Sequence, residues 1–207
     1  MSLIKRQKNH GDTLVEVLFA TAVFSLVAVG CLSIMNQGTA TAQRALEITL
    51  VRNEIDAQAE ALRFMNASYI SKYPDIPTGS IAEQWQTMKA AIGSTDSTTD
   101  AADLSGTCTP PNGTFIINAR KASYRQPVGL ERPVHAVSFS KVVYDISDNI
   151  TSVEGIWIEA VKPNIPIGNG SQNNADYIDF HIRACWDGPG QSGPVTLGTI
   201  VRLYEPR

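Results

Sequence analysis

A single carboxylate, Glu16, stands at the edge of 19 consecutive uncharged residues, Val17 to Met35. An ionisable group in that position is costly if it enters a bilayer, so it calls for a compensating role. The other residues with chemical potential are scattered. The histidines are His10, His135 and His181. His181 and Cys185 share one face of an expected strand but lie about 13 Å apart, which is poor metal-ligand geometry. Asp145-Ile146-Ser147-Asp148-Asn149 gathers oxygen ligands on a turn. It lacks the spacing and distal bidentate Glu of a calcium loop, so a plain Asx turn between strands is favoured. No G-x-S-x-G, H-E-x-x-H, C-x-x-C or phosphate-loop pattern occurs, and the residues point to no enzyme, metal or cofactor.

The elements that position Glu16 are plainer. Of 207 residues, 17 are Lys or Arg and 20 are Asp or Glu, a net charge of −3. That balance argues against a dedicated nucleic-acid binder. Lys5, Arg6 and Lys8 precede the apolar run, and no acid occurs before Asp12; without the first eleven residues the balance is 14 against 20. As a helix, Val17–Met35 spans about 30 Å, the thickness of a bilayer's hydrocarbon. The positive-inside rule keeps the basic tip in the cytoplasm and places everything beyond about Asn36 outside. Ala40-Thr41-Ala42 offers a small-x-small secretory cleavage site, but the apolar run exceeds the usual length of a secretory signal core.

The stretch Gly11-Asp12-Thr13-Leu14-Val15-Glu16-Val17-Leu18 closely resembles the processing site of type IV pilins and type II secretion pseudopilins. In that family a short basic leader ends in Gly, and a membrane prepilin peptidase cuts after it and methylates the new amino terminus. The fifth residue of the mature chain is Glu, and an apolar helix follows. The resemblance implies a leader over 1–11, cleavage between Gly11 and Asp12, methylation at Asp12, and an assembly role for Glu16. It also implies partners: the peptidase, other pilin subunits, the membrane assembly platform and the lipid bilayer, with nucleic acid only through a DNA-uptake role. The first mature residue is usually apolar in this family. Asp12 departs from that, which points to a minor pilin or pseudopilin. Glu16 would pair with a terminal amine, its own or a neighbour's. Because desolvation opposes Coulomb attraction, the pair acts as a registry device more than a source of net stability.

Beyond the anchor (12–36) the helix is expected to continue over 37–73, since no Pro appears before Pro74. Ile48, Val51, Ile55, Leu62, Met65 and Tyr69 form one apolar stripe with Gln58 in its vacant slot. The head, 74–207, opens with a capping box, Ser80 to Glu83, and a short helix carrying Trp85, Met88 and Ile92. Gly93 is a plausible helix stop, and 94–107 reads as a loop. Strands are expected at Thr114–Ala119, Ala136–Asp145, Gly155–Val161, Tyr177–Trp186 and Val195–Tyr204. In the third, Trp157, Glu159 and Val161 are expected on the wetter face. Lys162 to Asn174 reads as a loop.

Helices followed by strands predict an α+β fold: a long N-terminal α-helix packed against a C-terminal antiparallel β-sheet. That layout looks like a pilin head. Cys108 and Cys185, both expected outside the membrane, can bridge in an oxidising compartment; two free thiols are the alternative. Cys31 reads as a small hydrophobe in the anchor. The Asn-x-Ser/Thr sequons include those at Asn66, Asn112 and Asn149. The expected function is a structural filament subunit, first in the cytoplasmic membrane and then on the cell surface. The alternatives are a signal-anchored exported binding domain that never polymerises, or a secreted hydrolase cut after Ala42.

Overall fold

A computed structural model of the chain describes residues 12–92, 108–125, 134–136, 138–162, 164–167, 171–174, 177–188 and 193–206. The expected leader and Gly11, the stop at Gly93 and the loop 94–107 lie outside the described residues. The chain divides into two compact units, Met1–Gln43 and Arg44–Arg207.

One helix, α1 (Asp12–Lys72), runs from the first unit into the second. Its sequence contains no proline, and its hydroxyl side chains turn inward on the helix. Thr21, Ser25, Thr39, Thr41 and Thr49 each donate to a carbonyl three or four residues back, at 2.8–2.9 Å. The helix ends at Tyr73, whose N–H still reaches the Tyr69 carbonyl at 3.0 Å. Pro74 follows and cannot donate.

In the second unit, the stripe Val51, Ile55, Leu62, Met65 and Tyr69 is buried together with Gln58. Ile48, expected as its first member, is exposed instead. The core contact of α1 therefore begins one turn later than the periodicity suggests. A second helix, α2 (Ile81–Ile92), has the expected cap: the Glu83 N–H donates to Ser80 Oγ at 3.2 Å. The Glu83 carboxylate reaches back to the N–H of Gly79. Trp85 and Met88 are fully buried, with Trp85 lying between Tyr69 and Phe180.

The strands are β1 (Ile116–Asn118), β2 (Ser123–Arg125), β3 (Lys141–Tyr144), β4 (Ile150–Glu154), β5 (Ile156–Val161), β6 (Asn164–Ile167), β7 (Ser171–Asn174), β8 (Tyr177–Trp186) and β9 (Val195–Tyr204). All named pairings are antiparallel. The principal sheet has the order β5-β8-β9, and β1-β2, β3-β4 and β6-β7 form two-stranded ribbons. Ile178, Phe180, Ile182 and Ala184 of β8 are buried on the inner face, as their alternation predicts. They share one core with the α1 stripe and with Val201 and Leu203 of β9. The fold is α+β, a long N-terminal helix with an antiparallel sheet, which is a pilin-like architecture.

Three expectations need correction. The expected strand Ala136–Asp145 shrinks to β3, and Ala136 makes only an isolated bridge to Trp186. The expected loop over Lys162–Asn174 contains the β6-β7 hairpin. β6 is four residues long and interrupted by Pro166, and β7, Ser-Gln-Asn-Asn, has no apolar residue by which a sequence could announce it. Finally, β5 is buried on both faces. Trp157 is covered by the cysteine pair described below, and Glu159 lies beneath Arg183, 3.4 Å away.

Gly155 separates β4 from β5 at φ +60°. Its N–H donates to Val134 and its carbonyl accepts from Cys185, both at 2.7 Å. A Cβ there would lie 2.3 Å from the Cys185 carbonyl oxygen, so glycine is required both by conformation and by space.

Candidate anchoring and assembly site

The first unit presents apolar side chains to its surroundings. Leu14, Val15, Val17, Leu18, Phe19, Phe24, Leu26, Val29, Leu32, Ile34 and Met35 are all exposed, Leu26 to 75%. The helix is long and apolar enough to cross a membrane. Its hydroxyls bond to its own carbonyls, so this surface offers few free polar groups. Glu16 is exposed within this surface and lies one helical turn after Asp12, at a spacing that places the two residues on one face. Asp12 begins the helix, directly after the expected scissile bond. A Cβ added at Gly30 would meet nothing within 4 Å, and Cys31 is exposed and unpaired. Among the described residues, then, no other segment crowds Gly30, and Cys31 forms no disulfide. Ala40-Thr41-Ala42 is helical.

In the second unit, α1 acts as a spine to which several strands are pegged by polar side chains. Gln58, fully buried, accepts from the Ile117 N–H at 3.0 Å and donates to the Ile117 carbonyl at 2.9 Å. The amide thus takes the place of a neighbouring strand along β1. Asn66 donates to the Tyr204 carbonyl at 3.2 Å at the end of β9. Glu47 accepts from the Trp186 indole N–H at 3.4 Å at the end of β8. Glu54 accepts from the N–H of Val142 in β3. Burial pushes the Glu54 carboxyl above its ordinary range, against the opposing pulls of that N–H and of Arg120. None of these partners is readable from sequence, because each contact joins residues far apart in the chain. The one signal was the polar residue occupying the vacant slot of an apolar stripe.

Cys108 and Cys185 are joined in a disulfide, with Cα atoms 5.4 Å apart and a sequence separation of 77. Both are fully buried against Trp157. The bridge ties the chain just before β1 to the end of β8.

The turn after β3 is an Asx turn, as the residues suggest. Asp145 Oδ1 accepts from the N–H groups of Ser147 and Asn149, both at 2.8 Å, and Oδ2 from the Asn149 amide at 3.0 Å. Asn149, first through its backbone and then through its side chain, holds the Asp145 carboxyl below its ordinary range. Arg120 reaches Asp148 at 2.6 Å and lies over the Tyr144 ring. Lys121 reaches the Asn149 side-chain oxygen at 2.5 Å. The oxygens that a calcium ion would need are therefore spent on N–H donors and cations. Among the described residues, no group of three or more His, Cys, Asp or Glu could hold a metal.

His135 pairs with Asp187 at 2.7 Å on the surface. His181 stands across from Glu159 in β5 and Ile200 in β9. Burial, and then the charge of Arg183, hold its imidazole below the ordinary histidine value. His181 and Arg183 of β8 line an open pocket with Thr196, Leu197, Thr199 and Ile200 of β9.

No family model, no curated protein and no solved structure matches this chain.

Proposed function

We propose that the protein is a structural subunit, a minor pilin or pseudopilin, of a type IV pilus-like filament. One observation carries the reading: Glu16 sits one turn into a helix that begins directly after Gly11 and then presents only apolar and hydroxyl side chains through Met35. A lone acid in that place is costly in lipid, and a freshly cut amino terminus is the cation that repays it. A prepilin peptidase would cut between Gly11 and Asp12 and methylate Asp12. The helix would then exchange lipid for the apolar helices of neighbouring subunits, and Glu16 would set the axial position at which each subunit joins.

The rival readings are a signal-anchored exported domain and a secreted hydrolase cut after Ala42.

The test is Glu16→Leu in cells that assemble the filament. The variant is expected to be inserted and cleaved but to be missing from sheared filaments. Incorporation at the wild-type level contradicts the registry role.

A further inference from the structure

We propose that Asn112 is a site of spontaneous covalent modification, at which the folded protein gains one negative charge with time through a succinimide. The sequence has two Asn-Gly pairs, Asn112-Gly113 and Asn169-Gly170, and the first of them lies among the described residues. The pair forms an exposed turn between Cys108 and β1, with Gly113 at φ +84°. A Cβ built at Gly113 would meet no atom within 4 Å, so nothing crowds the nitrogen that must attack. Among the described residues no hydrogen bond holds the Asn112 amide or the Gly113 N–H; the turn's own bond runs from Thr114 Oγ1 to the Pro111 carbonyl at 3.0 Å.

Asn66, Asn118 and Asn149 differ. Asn66 is buried in α1 with its amide on Tyr204, and Ala67 follows it. Asn118 is fully buried, with its amide on the Asp148 carbonyl. Asn149 is bonded through its backbone and its side chain, and a β-branched residue follows it.

The step needs only water and base. The Gly113 nitrogen gives its proton to solvent base and attacks Asn112 Cγ. The N–Cγ bond forms, the Cγ–Nδ2 bond breaks, and ammonia departs with a proton. Water then opens the five-membered imide at either carbonyl, leaving aspartate or isoaspartate, and no electrons are transferred. The turn is held on both sides, by the Cys108–Cys185 bridge and by the pairing of Phe115 with Ile158. The head therefore keeps its fold while its surface charge changes.

The experiment ages the purified full chain in mildly alkaline buffer and maps its peptides by mass. Conversion is expected at Asn112 ahead of Asn66, Asn118 and Asn149, adding one dalton in ordinary water and three in water labelled with oxygen-18, as a mixture of aspartate and isoaspartate. Asn112→Gln should abolish the conversion mapped to this peptide and remove its share of the acidic shift on isoelectric focusing, with unfolding unchanged. An intact Asn112 amide after Asn118 or Asn149 has converted overturns the proposal. So does a glycan on Asn112 in protein from its own cells, because the sequon would then have its nitrogen blocked.

Discussion

Leu26 and Leu62 lie in the same helix and meet opposite surroundings. Leu26 is 75% exposed, whereas Leu62 is fully buried beneath the head. Helix propensity is the same for both, so the difference comes from what each face must cover. Among the described residues, the apolar surface of the first unit has no partner within that unit. The second is stapled, pegged and packed from within. Stability measurements should therefore respond to the second unit alone, while insertion and assembly should respond to the first.

The largest effect is expected from the cysteines. Replacing Cys108 and Cys185 by serine should lower the head's unfolding free energy by about 4 kcal/mol on the chain-entropy estimate for a loop of this length. Denaturant titration with and without reductant reads this directly. Leu62→Ala should remove about 2–5 kcal/mol by leaving a cavity between α1 and the sheet. Leu26→Ala, the same change in the other unit, should leave the head's denaturation midpoint where it was. If both leucines weigh equally, the contrast between the units is lost.

Gln58→Leu sharpens the point. It keeps bulk and adds apolar surface, yet it strips two bonds from the buried Ile117 backbone. A loss of about 2 kcal/mol is expected, since each buried group left unsatisfied costs about 1–3 kcal/mol. Amide exchange at Ile117 should accelerate in step. A stabilised variant would show that the stripe is only greasy and that the amide is no peg.

The smallest effects are in pH. His181 titrates below its ordinary value in the folded head, so the stability it contributes is complete above about pH 6.5 and falls as the pH drops through the folded value. Glu54 has the opposite sign. Its folded value is raised, so its contribution is complete below the ordinary carboxylate value and is lost as the pH rises through the folded one. His181→Gln should flatten the mildly acidic limb of the stability curve. Glu54→Gln should steepen the net rise of stability with pH by removing the opposing slope. Parallel changes in the two variants would mean that one assignment has the wrong sign.

Much of this architecture is legible in the residues because strict periods leave few alternatives. The α1 stripe, the Ser80–Glu83 cap, and β8 and β9 with their limits all follow from local pattern. Short strands do not. Three residues in β2, or four polar ones in β7, carry too little alternation to stand out, and only the partner strand defines them. Burial on both faces of β5 was hidden for a related reason: Trp157 is covered by a disulfide whose halves lie 77 residues apart. In the candidate site, Glu16 is visible from sequence as a misplaced charge. Gln58 shows itself only as the polar member of the apolar stripe; the pegs Asn66 and Glu54 do not, since ordinary polar residues on a helix gain meaning only from the strand they touch. Ile48 shows the limit of periodicity itself, which fixes a direction around the helix but not how far along it the head extends.

The measurement closest to the central claim is the N-terminal mass of the protein recovered from its own cells, with the filament peptidase present and absent. The account predicts a chain starting at Asp12 and carrying a methyl group when the peptidase is present, and the unprocessed chain from Met1 when it is removed. A chain that starts at Met1 in both, or at Gln43 in either, contradicts it.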